Sequence, residues 1–128
     1  IVQIGWCDNY CAASDEILGC VACSDTIEGI KKEYRSALDF HIKGMLEDGD
    51  ELPEKLKNEY ELVFELDTSA MLHSLDGIVT RKAIAKVTGI NEALLTHYAN
   101  GFRKPRPVQR QRIIDGIHQI GRELTLIG

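Results

Sequence analysis

The sequence predicts an α+β protein in two parts: a two-layer β-β-β-α-β domain over residues 1–66, then an all-α domain over residues 67–128. Three observations carry this. Strand-like alternation and one long amphipathic stripe give way after Asp67 to helical periodicity alone. Charge changes at the same place: residues 1–70 hold 16 acidic and 6 basic side chains, net −10, whereas residues 71–128 hold 4 and 9, net +5. Finally, Thr80–Pro107 (TRKAIAKVTGINEALLTHYANGFRKPRP) reads as two short helices about a glycine turn, followed by a basic loop.

The N-terminal elements follow from local pattern. Val2–Trp6 alternates as a strand, and Asp8-Asn9 suits a two-residue hairpin turn because both residues tolerate positive φ. Tyr10–Ala13 returns as the second strand. Ser14–Glu16 is polar loop, and Cys20–Cys23 is a short third strand. Asp25 is a candidate cap for the helix that follows, with Glu28 three residues on completing a capping box. Ile27, Ile30, Tyr34, Leu38, Ile42 and Met45 recur at three- and four-residue steps and form one buried stripe. Asp48-Gly49-Asp50 ends the helix, and Tyr60–Leu66 is the fourth strand. One helix against one face of a small sheet makes two layers.

In the second part, Asp67 or Thr68 caps a short helix through Leu75, which Asp76-Gly77 breaks. Arg81–Val87 and Glu92–Asn100 are the paired helices. Gly89 takes the positive φ of the bend and Asn91 caps the second helix. Ile84, Ile90, Leu95 and Tyr98 bury one face, leaving Glu92, Ala93, Thr96 and His97 outside. Asn100-Gly101 stops the helix. Arg103, Lys104 and Arg106 follow, held by Pro105 and Pro107. Pro107 opens a last helix with the stripe Ile113, Ile114, Ile117, Ile120 and Leu124.

This helix pair resembles the Cro/repressor type of helix-turn-helix DNA-binding domain: an apolar residue after the turn glycine, then Asn-Gly, then a basic loop containing proline. A plain helical hairpin with a solvated basic loop is the competing reading. The resemblance implies that Asn91, Glu92, Ala93, Thr96 and His97 face base edges in the major groove. It implies backbone phosphate contacts for Arg81, Arg103, Lys104 and Arg106.

The chain as a whole resembles the HicB-type antitoxins. The residues that carry this are Tyr10-Cys11-Ala12, Gly19-Cys20, Asp25-Thr26, Ala37 in the amphipathic helix, Glu47-Asp48-Gly49 before Leu52-Pro53, and the run from Ile78 to Leu124. Where that family often has Leu-Pro-Gly-Cys, this chain has Ile17-Leu18-Gly19-Cys20, so the loop before the third strand lacks a rigid proline. The resemblance implies a partial RNase-H-like N-terminal domain that neutralises a small basic HicA-type RNA-cleaving toxin. It also implies a C-terminal domain that represses the shared operon through double-stranded operator DNA. A homodimer or higher homo-oligomer is expected, since single repressor modules gain affinity on paired half-sites. The toxin-contacting residues lie somewhere within residues 1–66. A stand-alone transcriptional regulator, whose acidic domain senses a ligand or dimerises, stays open as the alternative.

Other chemistry has little support. Asp8 and Asp15 fall in turns, while Asp25 and Glu28 have a capping role, so no carboxylates assemble for a Mg²⁺-dependent nuclease and no catalytic residue is assigned. His41, His73 and His118 have no ligand or nucleophile spacing. Cys7, Cys11, Cys20 and Cys23 include C-x₂-C, a zinc half-site. A hairpin loop of Asp8-Asn9, however, sets Cys7 opposite Tyr10 and places Cys7 and Cys11 on opposite sheet faces, with Cys20 and Cys23 also opposed. No metal or other cofactor is therefore expected, and the cysteines read as small core residues. No apolar run approaches a membrane span and no secretory signal is visible, so a cytoplasmic protein with reduced thiols is expected. The chain opens on Ile1 and not Met, which leaves room for residues upstream.

Overall fold

The computed structural model describes residues 1–128 and has mixed α+β architecture, a four-stranded mixed sheet followed by helices. It divides into two compact units, Ile1–Asp67 and Thr68–Gly128. No helix is long and apolar enough to cross a membrane.

In the first unit, β1 (Val2–Trp6), β2 (Tyr10–Ser14) and β3 (Ile17–Ser24) form an antiparallel meander. Helix α1 (Ile27–Glu47) and a 3₁₀ turn (Glu54–Leu56) follow, and β4 (Phe64–Leu66) returns parallel to β1. The sheet order is β3-β2-β1-β4. Strand alternation sends Val2, Ile4, Tyr10, Ala12 and Cys20 to the buried side, Ile17 joins them across the irregularity at Gly19, and α1 contributes Ile30, Tyr34 and Leu38. Tyr34 meets Phe64 edge to face, with ring centroids 6.2 Å apart. Its hydroxyl is buried with no hydrogen-bond partner beyond the weakly polar Cys20 thiol, and burial pushes it up to about 12.

Four local expectations change here. The β1–β2 loop has three residues, not two: Trp6 pairs with Tyr10, and Asp8 alone takes positive φ, 68°. A type I′ two-residue turn would have required positive φ at both Asp8 and Asn9. Cys7 is therefore a loop residue and Cys11 lies opposite Gly5, so the opposed facing expected for Cys7 and Cys11 does not exist. Helix α1 is capped by Thr26, whose hydroxyl accepts from Gly29 N–H at 2.9 Å, and not by Asp25. The third strand begins at Ile17. Gly19, at φ 83°, lets the chain bend within the strand, and the pairing slips beside Ala13 and Ser14. The fourth strand is only Phe64–Leu66, because its ladder with β1 runs from Val2–Phe64 to Ile4–Leu66 and Tyr60–Leu62 lie outside it.

The second unit holds α2 (Thr68–Ser74), α3 (Arg81–Thr88), α4 (Glu92–Ala99) and α5 (Pro107–Thr125). Leu72, Ile84, Ile90, Leu95, Tyr98, Ala99 and Ile113 form its core. Proline at the start of α5 supplies a helical φ where an amide hydrogen would have no partner. Leu124, at the far end of the α5 stripe, is exposed.

Candidate nucleic-acid interface

The helix pair α3–α4 is fixed by capping at both ends. Thr80 accepts from Ala83 N–H at 3.0 Å to start α3. Gly89 ends it in the left-handed region at φ 75°. Thr88 spans the bend: its hydroxyl donates to Ile84 O at 2.7 Å and accepts from Ile90 N–H at 3.2 Å. From α5, Arg112 donates to the Thr88 carbonyl at 2.7 Å. Asn91 then caps α4 by accepting from Ala93 N–H at 2.8 Å. Its oxygen is turned to the cap, and its amide nitrogen can donate outward.

Asn91, Glu92, Ala93 and His97 are exposed, and Thr96 is half-buried. All five sit on or before one eight-residue helix. The positive end of that helix points outward. An open groove between α3 and α4 brings Lys82 and Lys86 beside Asn91 and Glu92. The two lysines, four residues apart on α3, are absent from the residues expected above. Their i, i+4 spacing was the available signal.

The end of α4 is a Schellman turn. Gly101 N–H donates to Tyr98 O at 3.2 Å and Phe102 N–H to His97 O at 2.9 Å, with Gly101 at φ 77°. The same turn sets the His97 and Phe102 rings edge to face, centroids 6.0 Å apart. Phe102 is 75% exposed and introduces the loop that carries Arg103, Lys104 and Arg106, all exposed.

Arg81 is placed differently from these cations. Its side chain is only 24% exposed and lies 3.6 Å from the Asp76 carboxylate, with Nε buried and unpartnered. Arg110, which sequence reading did not single out, donates to Thr68 Oγ1 at 3.0 Å. The first unit, for its part, brings no three His, Cys, Asp or Glu side chains together as a metal ligand set.

No family model matches the chain. Over 108 residues it is 27% identical to a protein of Haemophilus phage HP1, described as an uncharacterized 14.9 kDa protein in the rep-hol intergenic region. That similarity spans 82% of this chain and 80% of the phage protein.

Proposed function

We propose that the second unit is a helix-turn-helix module that binds double-stranded operator DNA, and that the first unit binds a small basic protein, so that the chain acts as a HicB-type antitoxin and repressor. The observation that carries the DNA reading is the α3–Gly89–α4 corner. It exposes Asn91, Glu92, Ala93 and His97 on one short helix flanked by Lys82, Lys86, Arg103, Lys104 and Arg106. In this reading α4 enters the major groove by its N-terminal end. Glu92 accepts from a cytosine amino group, while Asn91 donates through its amide nitrogen. The cations grip phosphate and set affinity more than sequence choice. Arg81 serves there only after leaving Asp76. As the chain stands, it holds the start of α3 and is a weaker candidate than Lys82.

Two features support the toxin-binding reading of the first unit. Its residues carry 16 acidic and 6 basic side chains, which favours encounter with a basic protein. Its three-strand meander, helix and returning parallel strand suit a partial RNase-H-like domain. A homodimer places two copies of α4 about 34 Å apart, one duplex turn.

Gel-shift titration of the full chain with its own promoter fragment and with a scrambled duplex, at two salt concentrations, tests the DNA reading. Preference for the promoter is expected, and equal affinity for both overturns it. Co-expression with the product of an adjacent gene for a small basic protein tests the other half. Co-purification and relief of toxicity are expected, and failure of both leaves a DNA-binding regulator only.

A further inference from the structure

The antiparallel pairing of β2 with β3 brings two cysteines together across the outer face of the sheet. Cys11 and Cys23 are direct cross-strand partners, and their sulfurs lie 2.9 Å apart. Both sit on the sheet face opposite α1, since Tyr10, Ala12 and Cys20 point to the buried side. Cys23 is exposed and Cys11 half-exposed, so small molecules reach the pair. Cys20 is buried beside Tyr34 and takes no part; Cys7 is exposed in the hairpin loop.

We propose that Cys11 and Cys23 are a thiol–disulfide modification site, which closes to an intrachain disulfide when it meets a low-molecular-weight disulfide of the glutathione class. Directly opposed residues of an antiparallel pair have Cα atoms about 4.5 or 5.5 Å apart. Both values lie within the roughly 4.4–6.8 Å span that a disulfide bridges, so closure needs side-chain rotation and no backbone movement.

The order of events follows from the surroundings. The exposed Cys23 thiolate attacks one sulfur of the oxidised small molecule, and the other sulfur leaves as a thiolate that takes up a proton. Cys11 keeps its proton at this stage, because its hydrogen bond to Cys23, with burial and the neighbouring thiols, pushes it up to about 11. Once Cys23 is in the mixed disulfide it carries no charge, and the restraint on Cys11 is relieved. The Cys11 thiolate then attacks the Cys23 sulfur and expels the second small thiol. Two protein thiols are oxidised, one small disulfide is reduced to two thiols, and the two protons end on the departing sulfurs. The new bond ties the edge strand β3 to β2.

Peptide mapping decides this on the full chain. Reduced protein freed of reductant is exposed to oxidised glutathione, quenched in acid, alkylated and cleaved before aspartate. Cleavage before Asp8, Asp15 and Asp25 separates Cys7, Cys11 and the Cys20/Cys23 segment into three peptides. The expected result is loss of two of the four free thiols, one bridge between the Cys11 and Cys23 peptides, alkylated Cys7 and Cys20, and reversal by dithiothreitol. Cys11→Ser should stop at a lasting glutathione adduct on Cys23, and Cys7→Ser should close as the unaltered chain does. A predominant bridge to Cys7, a lasting adduct on the unaltered chain, or four free thiols after exposure would each overturn the proposal.

Discussion

The Arg112 guanidinium on α5 donates to the Thr88 carbonyl at 2.7 Å, the last carbonyl of α3 and one that no turn of helix follows to satisfy. The α3–α4 corner is therefore held from a third helix. Replacing Arg112 with Met keeps the apolar stem and removes the donor. Because Arg112 is exposed, the expected loss is about 1 kcal/mol, the typical net contribution of a hydrogen bond and less than a buried charged donor would give. Urea unfolding measures it, and Arg112→Lys should recover part of the loss.

At Gly116, α5 packs directly against the end of α3. A Cβ there would run into the Thr88 Cγ2 methyl and come within 3.7 Å of Val87. Thr88 cannot turn its methyl away without breaking its hydroxyl's bonds to Ile84 and Ile90. Gly116→Ala should thus destabilise by about 1–3 kcal/mol, the range for overpacking, although alanine is the better helix former. Adding Thr88→Ser, which deletes the methyl and keeps the hydroxyl, should restore most of the loss. A Gly116→Ala variant as stable as the parent would contradict this account of the helix contact.

Tyr34 gives a signed pH dependence. Its phenol is pushed above its ordinary value of 10.0 to about 12, first by burial and then by Cys20. The folded state therefore holds this proton more tightly than the unfolded chain. The associated stability is complete below about pH 10 and is lost as pH rises to about 12. Tyr34→Phe should remove that alkaline step from a stability-versus-pH curve. At neutral pH it should change stability little, because the hydroxyl it deletes is poorly partnered.

Arg103→Gln should weaken binding to promoter and scrambled duplex alike and flatten the salt dependence by about one unit of slope. Lys82→Gln should do the same if α3 lies against phosphate. Glu92→Gln should leave the slope nearly unchanged or steepen it, and should change which duplex is preferred. Fluorescence anisotropy titrations across a salt series separate the two behaviours.

What the sequence made legible was set by the range of the forces involved. The α1 stripe could be read because spacing alone decides which helix face is apolar. Ile30, Tyr34 and Leu38 are buried, while Ile42 and Met45 are only half covered. Ile84, Ile90, Leu95 and Tyr98 were legible for the same reason. The cap of α1 was misplaced by one residue because Asp25 and Thr26 both have the chemistry. Gly29 helps decide between them, as a Cβ there would collide with the side chains of Ser24 and Thr26. The hairpin register turned on whether one residue, Cys7, belonged to strand or loop, and that shift reassigned every β1 partner of β2. Arg81 read as a surface cation because its partner Asp76 lies across a turn from it. Phe102 was overlooked because its Schellman contact with His97 is a property of the turn, although the Asn-Gly signal marked that turn in the sequence.

The parallel pairing of β4 with β1 has a kinetic consequence. β1, β2 and β3 are joined by short connections and can assemble within the first 24 residues. The strand that finishes the sheet arrives about sixty positions after its neighbour, Val2 with Phe64. Closing so long a segment costs entropy before any contact rewards it. Folding of this unit should therefore end with β4 docking, and the slow step should be sensitive to Phe64 and indifferent to the hairpin. During synthesis on the ribosome, β1 would keep one edge unpaired until Leu66 has emerged, which makes that interval the chain's time of greatest exposure to wrong partners.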